Sequence, residues 1–351
     1  MKKVLIDLTI LKHINCGLGQ IAYNYARFYG ENARNLEFEV HFLLPKQYVG
    51  AFGYDVHYHA SSWLFYLSER FSHEFDVWHS IHQLCRHMPS RKSTPYLLTI
   101  HDINFIYEKR GRSLQRQTRK FLKRMNRADR IVFISDFTRN DILNHFPTDT
   151  PQEIVYNGVE FGDPQRERRP DLPFDENSRY IFTIGQIRQK KNFHVLLDAM
   201  KLLPQYKLVI AGEKGSAYSE MIEERIKAEG ISNVFLIGTV HNSEKIWLYN
   251  HCEAFVFPSM FEGFGLPVIE AMSYGKPVVS SDMTSLKEIC SGHAFILESF
   301  EPGHIAHRIT EAIETYSKDP ALVSQNTEYA KSFTYRRHMD EYLRIYREML
   351  Q

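Results

Sequence analysis

Short apolar runs rich in valine and isoleucine alternate along this chain with longer segments whose apolar positions recur every three to four residues. That alternation predicts repeated strand and helix units, and with them parallel sheets. In the first half, strands are expected at Lys3–Thr9, Phe38–Leu44, Asp76–His79, Tyr96–Ile100, Ile131–Ile134 and Ile154–Tyr156. Between the first two, Leu18, Ile21, Ala22, Tyr25, Phe28 and Tyr29 line one face of a helix. In the second half the strands are expected at Tyr180–Ile184, Lys207–Ala211, Val234–Ile237, Ala254–Phe257, Pro277–Ser280 and Phe295–Leu297. The expected fold class is α/β, with two doubly wound domains whose sheets turn their carboxyl ends toward a shared cleft.

Length agrees with two domains, since 351 residues exceed what one core usually organises. The stretch from Asp163 to Ser178 is rich in proline and charge without apolar periodicity, the composition of a linker, which divides the chain into 1–163 and 164–335. A terminal segment over about 336–351 carries the helical stripe Met339, Tyr342, Leu343, Tyr346 and Leu350, which could pack on either domain, including back on the first. Lysine and arginine number 43 against 42 aspartates and glutamates, so no global attraction to nucleic acid or membrane is expected. Cys16, Cys85, Cys252 and Cys290 are widely spaced, which argues against a disulfide scaffold and fits a reducing cytoplasm. Asp7 and Thr9 interrupt the apolar run after Met1-Lys2-Lys3, so it reads as a strand rather than a signal peptide. No apolar stretch reaches the ~20 residues that cross a bilayer.

The chemistry concentrates in Phe257-Pro258-Ser259-Met260-Phe261-Glu262-Gly263-Phe264-Gly265-Leu266-Pro267-Val268-Ile269-Glu270. A strand ends at Phe257, two glycines permit close backbone approach, and Pro267 suits a first helical turn. Such a loop feeding a helix N-terminus favours a phosphate, while Glu262 and Glu270 can accept paired hydrogen bonds from sugar hydroxyls. A phosphorylated sugar satisfies both. Taken singly, Glu270 also reads as a residue complementing the helix dipole and Glu262 as a solvated loop residue.

Two glutamates separated by seven residues, wrapped around Gly-Phe-Gly-Leu-Pro after Phe-Pro-Ser, resemble the signature of family-4 retaining glycosyltransferases of the GT-B fold. The resemblance extends through Gly185-Gln186-Ile187-Arg188-Gln189-Lys190-Lys191-Asn192, Ile210-Ala211-Gly212-Glu213-Lys214-Gly215, Ile154-Val155-Tyr156-Asn157-Gly158-Val159 and Ile100-His101-Asp102. It implies an N-terminal acceptor domain, a C-terminal nucleotide-sugar donor domain and catalysis without a metal or other cofactor. It also implies that Glu270 holds the nucleotide ribose, that Glu262 binds donor-sugar hydroxyls and that Gly263, Phe264, Gly265 and Leu266 offer backbone to sugar and phosphate. Lys191 resembles the diphosphate-binding lysine, with Gly185 opening its loop. Many members carry arginine where this chain has Gln186; a subgroup carries arginine where this chain has Lys190, so the second cation falls on Lys190 or on its rival Arg188. His101 matches a histidine near the donor sugar, in a hydrogen-bonding role.

Gly17-Leu18-Gly19 resembles the glycine loop that approaches the donor phosphates, and with Ala22 it also fits a dinucleotide fingerprint, G-x-G-x-x-A. An NAD-dependent oxidoreductase is the competing class; within the fold, an epimerase, a phosphorylase or a non-catalytic sugar-nucleotide binder compete. His79, His82, Cys85 and His87 are metal-ligand types at close spacing, but they fall in a region resembling that of enzymes without structural zinc. The basic run Lys109, Arg110, Arg112, Arg116, Arg119, Lys120, Lys123, Arg124, Arg127 and Arg130 leaves two readings open, a solvated helix face or peripheral contact with an anionic membrane. The resemblance leans toward bacterial mannosyltransferases of polysaccharide and O-antigen assembly, with GDP-mannose as donor and a saccharide or lipid-linked saccharide as acceptor.

Overall fold

The structure, a computed structural model, describes all residues except Asn15 and 72–74, and for 69–71 the backbone alone. Two all-parallel sheets form. The first has seven strands, β1 (Lys2–Asp7), β2 (Phe38–Leu44), β3 (His57–Ala60), β4 (Val77–Ser80), β5 (Tyr96–Ile100), β6 (Arg130–Phe133) and β7 (Gln152–Ile154), in the order β3-β2-β1-β4-β5-β6-β7. The second has six, β8 (Tyr180–Ile184), β9 (Lys207–Ala211), β10 (Val234–Gly238), β11 (Ala254–Phe257), β12 (Val278–Ser281) and β13 (Phe295–Leu297), in the order β10-β9-β8-β11-β12-β13. Each is a doubly wound sheet, in which the chain fills one side and then returns to the other side of its first strand. Covered on both faces, central strands such as β5 (YLLTI) and β11 (AFVF) are buried at every position, which explains why every residue in them except Thr99 is apolar.

Besides small shifts at strand ends, such as β1 stopping at Asp7 instead of Thr9, two features depart from the expected elements. The seventh strand lies at Gln152–Ile154 instead of Ile154–Tyr156, and β3 falls inside a stretch, 49–63, that reads from sequence as loop. The composition of β3, His-Tyr-His-Ala at the sheet edge and buried nowhere completely, hides it from a hydrophobic pattern.

The chain divides into two compact units, Met1–Tyr156 with Met339–Gln351, and Asn157–His338. The proline- and charge-rich stretch after Asp163 therefore lies within the second unit. It is tied to the helix Asn242–His251: Arg168 Nη2 donates to Glu244 at 2.7 Å, Glu167 accepts from Asn250 at 2.9 Å, and His251 pairs with Glu167 at 3.0 Å. Charges that look solvated in sequence have partners that only the fold supplies.

In the first unit Met339, Tyr342, Ile345 and Tyr346 of the terminal helix are fully buried. A polar chain runs through this apolar contact: Tyr346 Oη to His79 Nδ1 at 2.6 Å, His79 Nε2 to Thr99 Oγ1 at 2.8 Å, and Thr99 Oγ1 to Tyr342 Oη at 2.8 Å. Every member is buried, so each hydrogen bond replaces one that water would have made. Tyr346→Phe, which removes the hydrogen bond to His79 Nδ1, is expected to cost ~1–3 kcal/mol, and Tyr346→Ala, which adds a cavity, ~3–5 kcal/mol. Denaturant unfolding followed in the first unit measures both; equal stability of the two variants would contradict this account.

Candidate functional site

In an open α/β sheet, ligands bind where the strand order reverses, outside the carboxyl ends of the two strands that flank the reversal. In the second sheet those strands are β8 and β11. Gly185–Lys191 follows β8 and Pro258–Gly265 follows β11, so the topology alone brings together the two segments that carry the expected donor-binding residues.

The loops are joined directly. Lys190 O accepts from Met260 N at 2.8 Å and from Ser259 Oγ at 3.2 Å. The side chains of Lys191 and Glu262 form an ion pair and are only 11% and 13% exposed. Lys191 Nζ also lies 4.9 Å from the centre of the Phe257 ring, a cation–π contact at the end of β11. Gly185 makes room for the lysine stem, because a Cβ there would lie 3.3 Å from Lys191 Cε. Gly212, after β9, would bring a Cβ within 1.9 Å of Gly185 O, so the two strand-end loops approach as closely as they do only without a side chain.

Glu262 is held from the next loop as well. Its N–H donates to Thr284 Oγ1 at 2.9 Å, and Ser285 Oγ donates to Glu262 O at 2.9 Å and to Phe264 O at 3.1 Å. Thr284 has φ 57° and ψ −130°, a conformation that a β-branched residue adopts only under strain, on the order of 1–3 kcal/mol. Sequence reasoning missed Thr284 and Ser285; the signal available was a run of hydroxyl residues just past β12. Phe264 is buried against Phe333, ring centres 5.9 Å apart, so its side chain belongs to the core and only its backbone faces the loop. Gly265 has φ 105° and opens the helix Leu266–Ser273.

Glu270, in that helix, accepts from Lys245 Nζ and from Tyr249 Oη, each at 2.8 Å. Lys245 and Tyr249 are four residues apart on the helix Asn242–His251 and so share a face. Burial, with the carboxylate as a second cause, holds the Tyr249 phenol well above its ordinary pKa, so it stays a donor to Glu270. These two partners were not singled out from sequence. Of the rival second cations, Arg188 is exposed and precedes the turn Gln189–Lys191, whereas Lys190 is partly buried and contributes its carbonyl to the loop junction.

In the first unit His101 follows β5 and is 5% exposed. Its Nε2 lies 2.9 Å from Ile81 O, so that nitrogen carries the proton and Nδ1 is left as an acceptor. Burial pushes its pKa down to about 4, against the opposing effect of the Ile81 carbonyl. A neutral imidazole suits the hydrogen-bonding role. Gly17 opens the helix Gly17–Asn32 toward free space, while a Cβ on Gly19 would lie 2.1 Å from His13 O, so Gly19 is required by its own preceding turn. That turn, Thr9–His13, separates β1 from the glycines, which does not match a dinucleotide fingerprint starting directly at the strand. His79 and His87 are engaged elsewhere, His79 with Tyr346 and Thr99 and His87 stacked on Tyr66, so the His79, His82, Cys85 and His87 set is no ligand group among the described residues.

The basic run is sorted by the fold. Arg124 is buried and donates to the carbonyls of Cys85, Lys120 and Arg86; Arg127 donates to Thr94 O at 2.6 Å; Arg130 pairs with Glu348 at 2.6 Å. Arg112, Arg116, Arg119, Lys120 and Lys123 of the helix Gly111–Met125 stay exposed, and Lys109, Arg112, Arg116 and Lys120 line one recess beside Leu84. Among the described residues no helix is long and apolar enough to cross a membrane.

The fold and both halves of the sequence identify a class. Residues 25–162 match the pattern of Glycosyltransferase Family 4, and residues 164–332 that of Glycosyl transferases group 1. The chain is thus built of two glycosyltransferase domains, a family 4 domain followed by a group 1 domain, in a GT-B fold. Among its relatives, O-antigen chain mannosyltransferase B of Escherichia coli is 28% identical over 257 residues, 68% of this chain and 66% of that protein. The serotype-specific mannosyltransferase WbdA of Escherichia coli is 34% identical over 184 residues, 48% of this chain and 22% of that protein. The chain thus spans just under two thirds of the first and about a fifth of the second. Among solved structures, Anabaena HepE in complex with UDP superposes with a TM-score of 0.77 at 17% identity, covering 99% of this chain and 100% of HepE. WaaG, a glycosyltransferase involved in lipopolysaccharide biosynthesis, gives 0.69 at 14% identity, covering 97% and 99%.

The buried His101 makes stability depend on pH. Between its folded pKa of about 4 and the unfolded value near 6.5, only the unfolded chain takes up the proton, so this contribution is complete above about pH 6.5 and is lost as pH falls toward 4. The loss amounts to roughly 3 kcal/mol at about 1.4 kcal/mol per pH unit. Asp7, raised by burial to about 6, acts in the opposite sense, its contribution being lost as pH rises through 6. In His101→Asn the fall in melting temperature between pH 7 and pH 4.5 should shrink; an unchanged slope would remove His101 as its source.

Proposed function

We propose that this protein transfers a hexose, with retention at the anomeric carbon, from a nucleotide diphosphate sugar to a saccharide or lipid-linked saccharide in cell-surface polysaccharide synthesis. GDP-mannose is the donor we favour. The observation that carries the reading is the Lys191–Glu262 pair at the strand reversal of the second sheet, one cation for a diphosphate and one carboxylate for sugar hydroxyls on joined loops. Support for the donor comes from relatives named as O-antigen mannosyltransferases; support for a nucleotide diphosphate comes from HepE, solved with UDP.

In this reading the ligand divides an existing ion pair. Lys191 turns to the diphosphate and stabilises the charge that develops as it leaves, Lys190 or Arg188 adds a second positive charge, and Glu262 orients the hexose through its hydroxyls. Glu270, oriented by Lys245 and Tyr249, receives the ribose hydroxyls on its remaining lone pairs. His101 contributes a hydrogen bond near the sugar rather than a base. The reaction needs no metal, because cationic side chains and loop amides take the role of a charge clamp. The exposed cations Arg112, Arg116, Arg119, Lys120 and Lys123 hold the enzyme at the anionic inner face of the plasma membrane, each worth about 1 kcal/mol near such a surface.

Thermal unfolding against GDP, UDP, ADP and NAD tests the donor: one nucleoside diphosphate at 100 times its Kd should add about 2.7 kcal/mol, and Glu270→Ala should abolish the shift. Stabilisation by NAD alone would overturn the reading. Transfer from GDP-[14C]mannose should fall at least a hundredfold in folded Lys191→Ala and Glu262→Ala; full activity in both would remove the site assignment. Co-sedimentation with vesicles containing phosphatidylglycerol should be lost in Arg112→Gln/Arg116→Gln/Lys120→Gln and weaken with salt; salt-independent binding unchanged in that variant would remove the membrane contact.

A further inference from the structure

The first sheet carries a second cluster of chemically capable side chains, in a different compact unit from the donor loops. β2 and β3 are parallel neighbours in which His41 stands opposite His57 and Leu43 opposite His59. Side chains alternate across a strand, so Glu39 and His41 on β2 and His57 and His59 on β3 emerge on one face. This pattern of four ligand-type residues at i, i+2 on paired strands was not singled out from sequence, because β3 itself was hidden.

The geometry points to a zinc site formed by Glu39, His41 and His57, with His59 supporting it from behind. One ligand atom of each of the three lies within 4.8 Å of the others. Glu39 Oε2 is 3.4 Å from His41 Nε2 and 3.8 Å from His57 Nε2. Tetrahedral zinc, with bonds of about 2.0–2.1 Å to nitrogen and oxygen, holds its ligands roughly 3.3–3.4 Å apart, so closing around the ion requires side-chain movements of only about an ångström. Two imidazoles and a carboxylate are a donor set that zinc favours, and three protein ligands leave a fourth position for water.

The arrangement behind the ligands fits a metal as well. His41 Nδ1 lies 3.0 Å from His59 Nε2, which leaves His41 Nε2 directed at Glu39. A metal-bound histidine characteristically passes its other N–H to a fixed acceptor, and His59 supplies one. His41 is 6% exposed and both it and His59 are walled by Phe75, at ring separations of 5.3 and 5.5 Å, so the two rings have little freedom to turn away. His57 is open to solvent and gives the ion a way in. His41 and His57 stack at 4.4 Å, an arrangement in which their Nε2 atoms reach the same carboxylate side by side. Lys3 is near enough to His41 to act on it electrostatically, and the Glu39 carboxylate offsets that charge. Bound there, zinc would fasten the short edge strand β3 to β2.

The full-length protein, stripped with a chelator and dialysed against micromolar Zn²⁺, should retain one equivalent by elemental analysis and show a single binding event by calorimetry. Substituted with Co²⁺ alone, it should show the intense visible bands of a tetrahedral ion. Because His57 and Glu39 lie at the surface end of the cluster, His57→Ala and Glu39→Gln should fold as the parent does by circular dichroism and lose the bound equivalent, and His59→Gln should weaken binding ~10–100-fold. Absence of a bound equivalent, an octahedral Co²⁺ spectrum, or a bound equivalent that survives both His57→Ala and Glu39→Gln, as ions scattered over the chain's other histidines would, overturns the proposal.

Discussion

The reversal of strand order between β8 and β11 is the constraint from which the candidate site of the second unit follows. Adjacent parallel strands whose onward connections run to opposite sides leave their carboxyl ends side by side with no crossing chain above them. Gly185–Lys191 and Pro258–Gly265 occupy that gap and are stitched together through the carbonyl of Lys190. Lys191 and Glu262 then meet in a largely buried corner. Two opposite charges tolerate such burial because each compensates the other, and either one left alone would carry a penalty of several kcal/mol.

Around that pair the backbone is arranged at some cost. Gly212 lets two strand-end loops touch, Gly265 takes a left-handed conformation to open the helix Leu266–Ser273, and Thr284 adopts one that its branched side chain resists. The Thr284 hydroxyl accepts the Glu262 N–H, which is what the strain secures. Glu270 is fixed differently, by Lys245 and Tyr249 from a neighbouring helix. One glutamate is positioned through its main chain and its lysine partner, the other through both oxygens of its carboxylate.

The first unit shows how a fold assigns unlike tasks to like residues. Of the arginines in the basic run, Arg124, Arg127 and Arg130 tie loops, strands and the terminal helix together, while those of the outer helical face remain in solvent. Histidines divide in the same way: His79 is a buried link between Thr99 and Tyr346, His101 is a neutral buried ring, and His41, His57 and His59 converge at the sheet edge.

Most of the strands, both halves of the fold and the glycines and charged residues that gather on the loops after β8 and β11 were legible in the sequence. The reason is that parallel strands buried on both faces are mostly apolar, and that glycines and charged residues directly after such strands have few structural uses. What stayed hidden depended on partners distant in the chain. The edge strand β3 lacks the apolar signature because one side of it is never covered; Lys245, Tyr249, Thr284 and Ser285 acquire meaning only beside Glu270 and Glu262; the charges after Asp163 look solvated until the helix Asn242–His251 meets them. Local pattern determined the elements and the residue types at their ends, because burial and backbone conformation act within a few residues. Which charge pairs with which was decided by the tertiary structure, because an ion pair or a hydrogen bond is set by distance in space, and that distance is unrelated to separation along the chain.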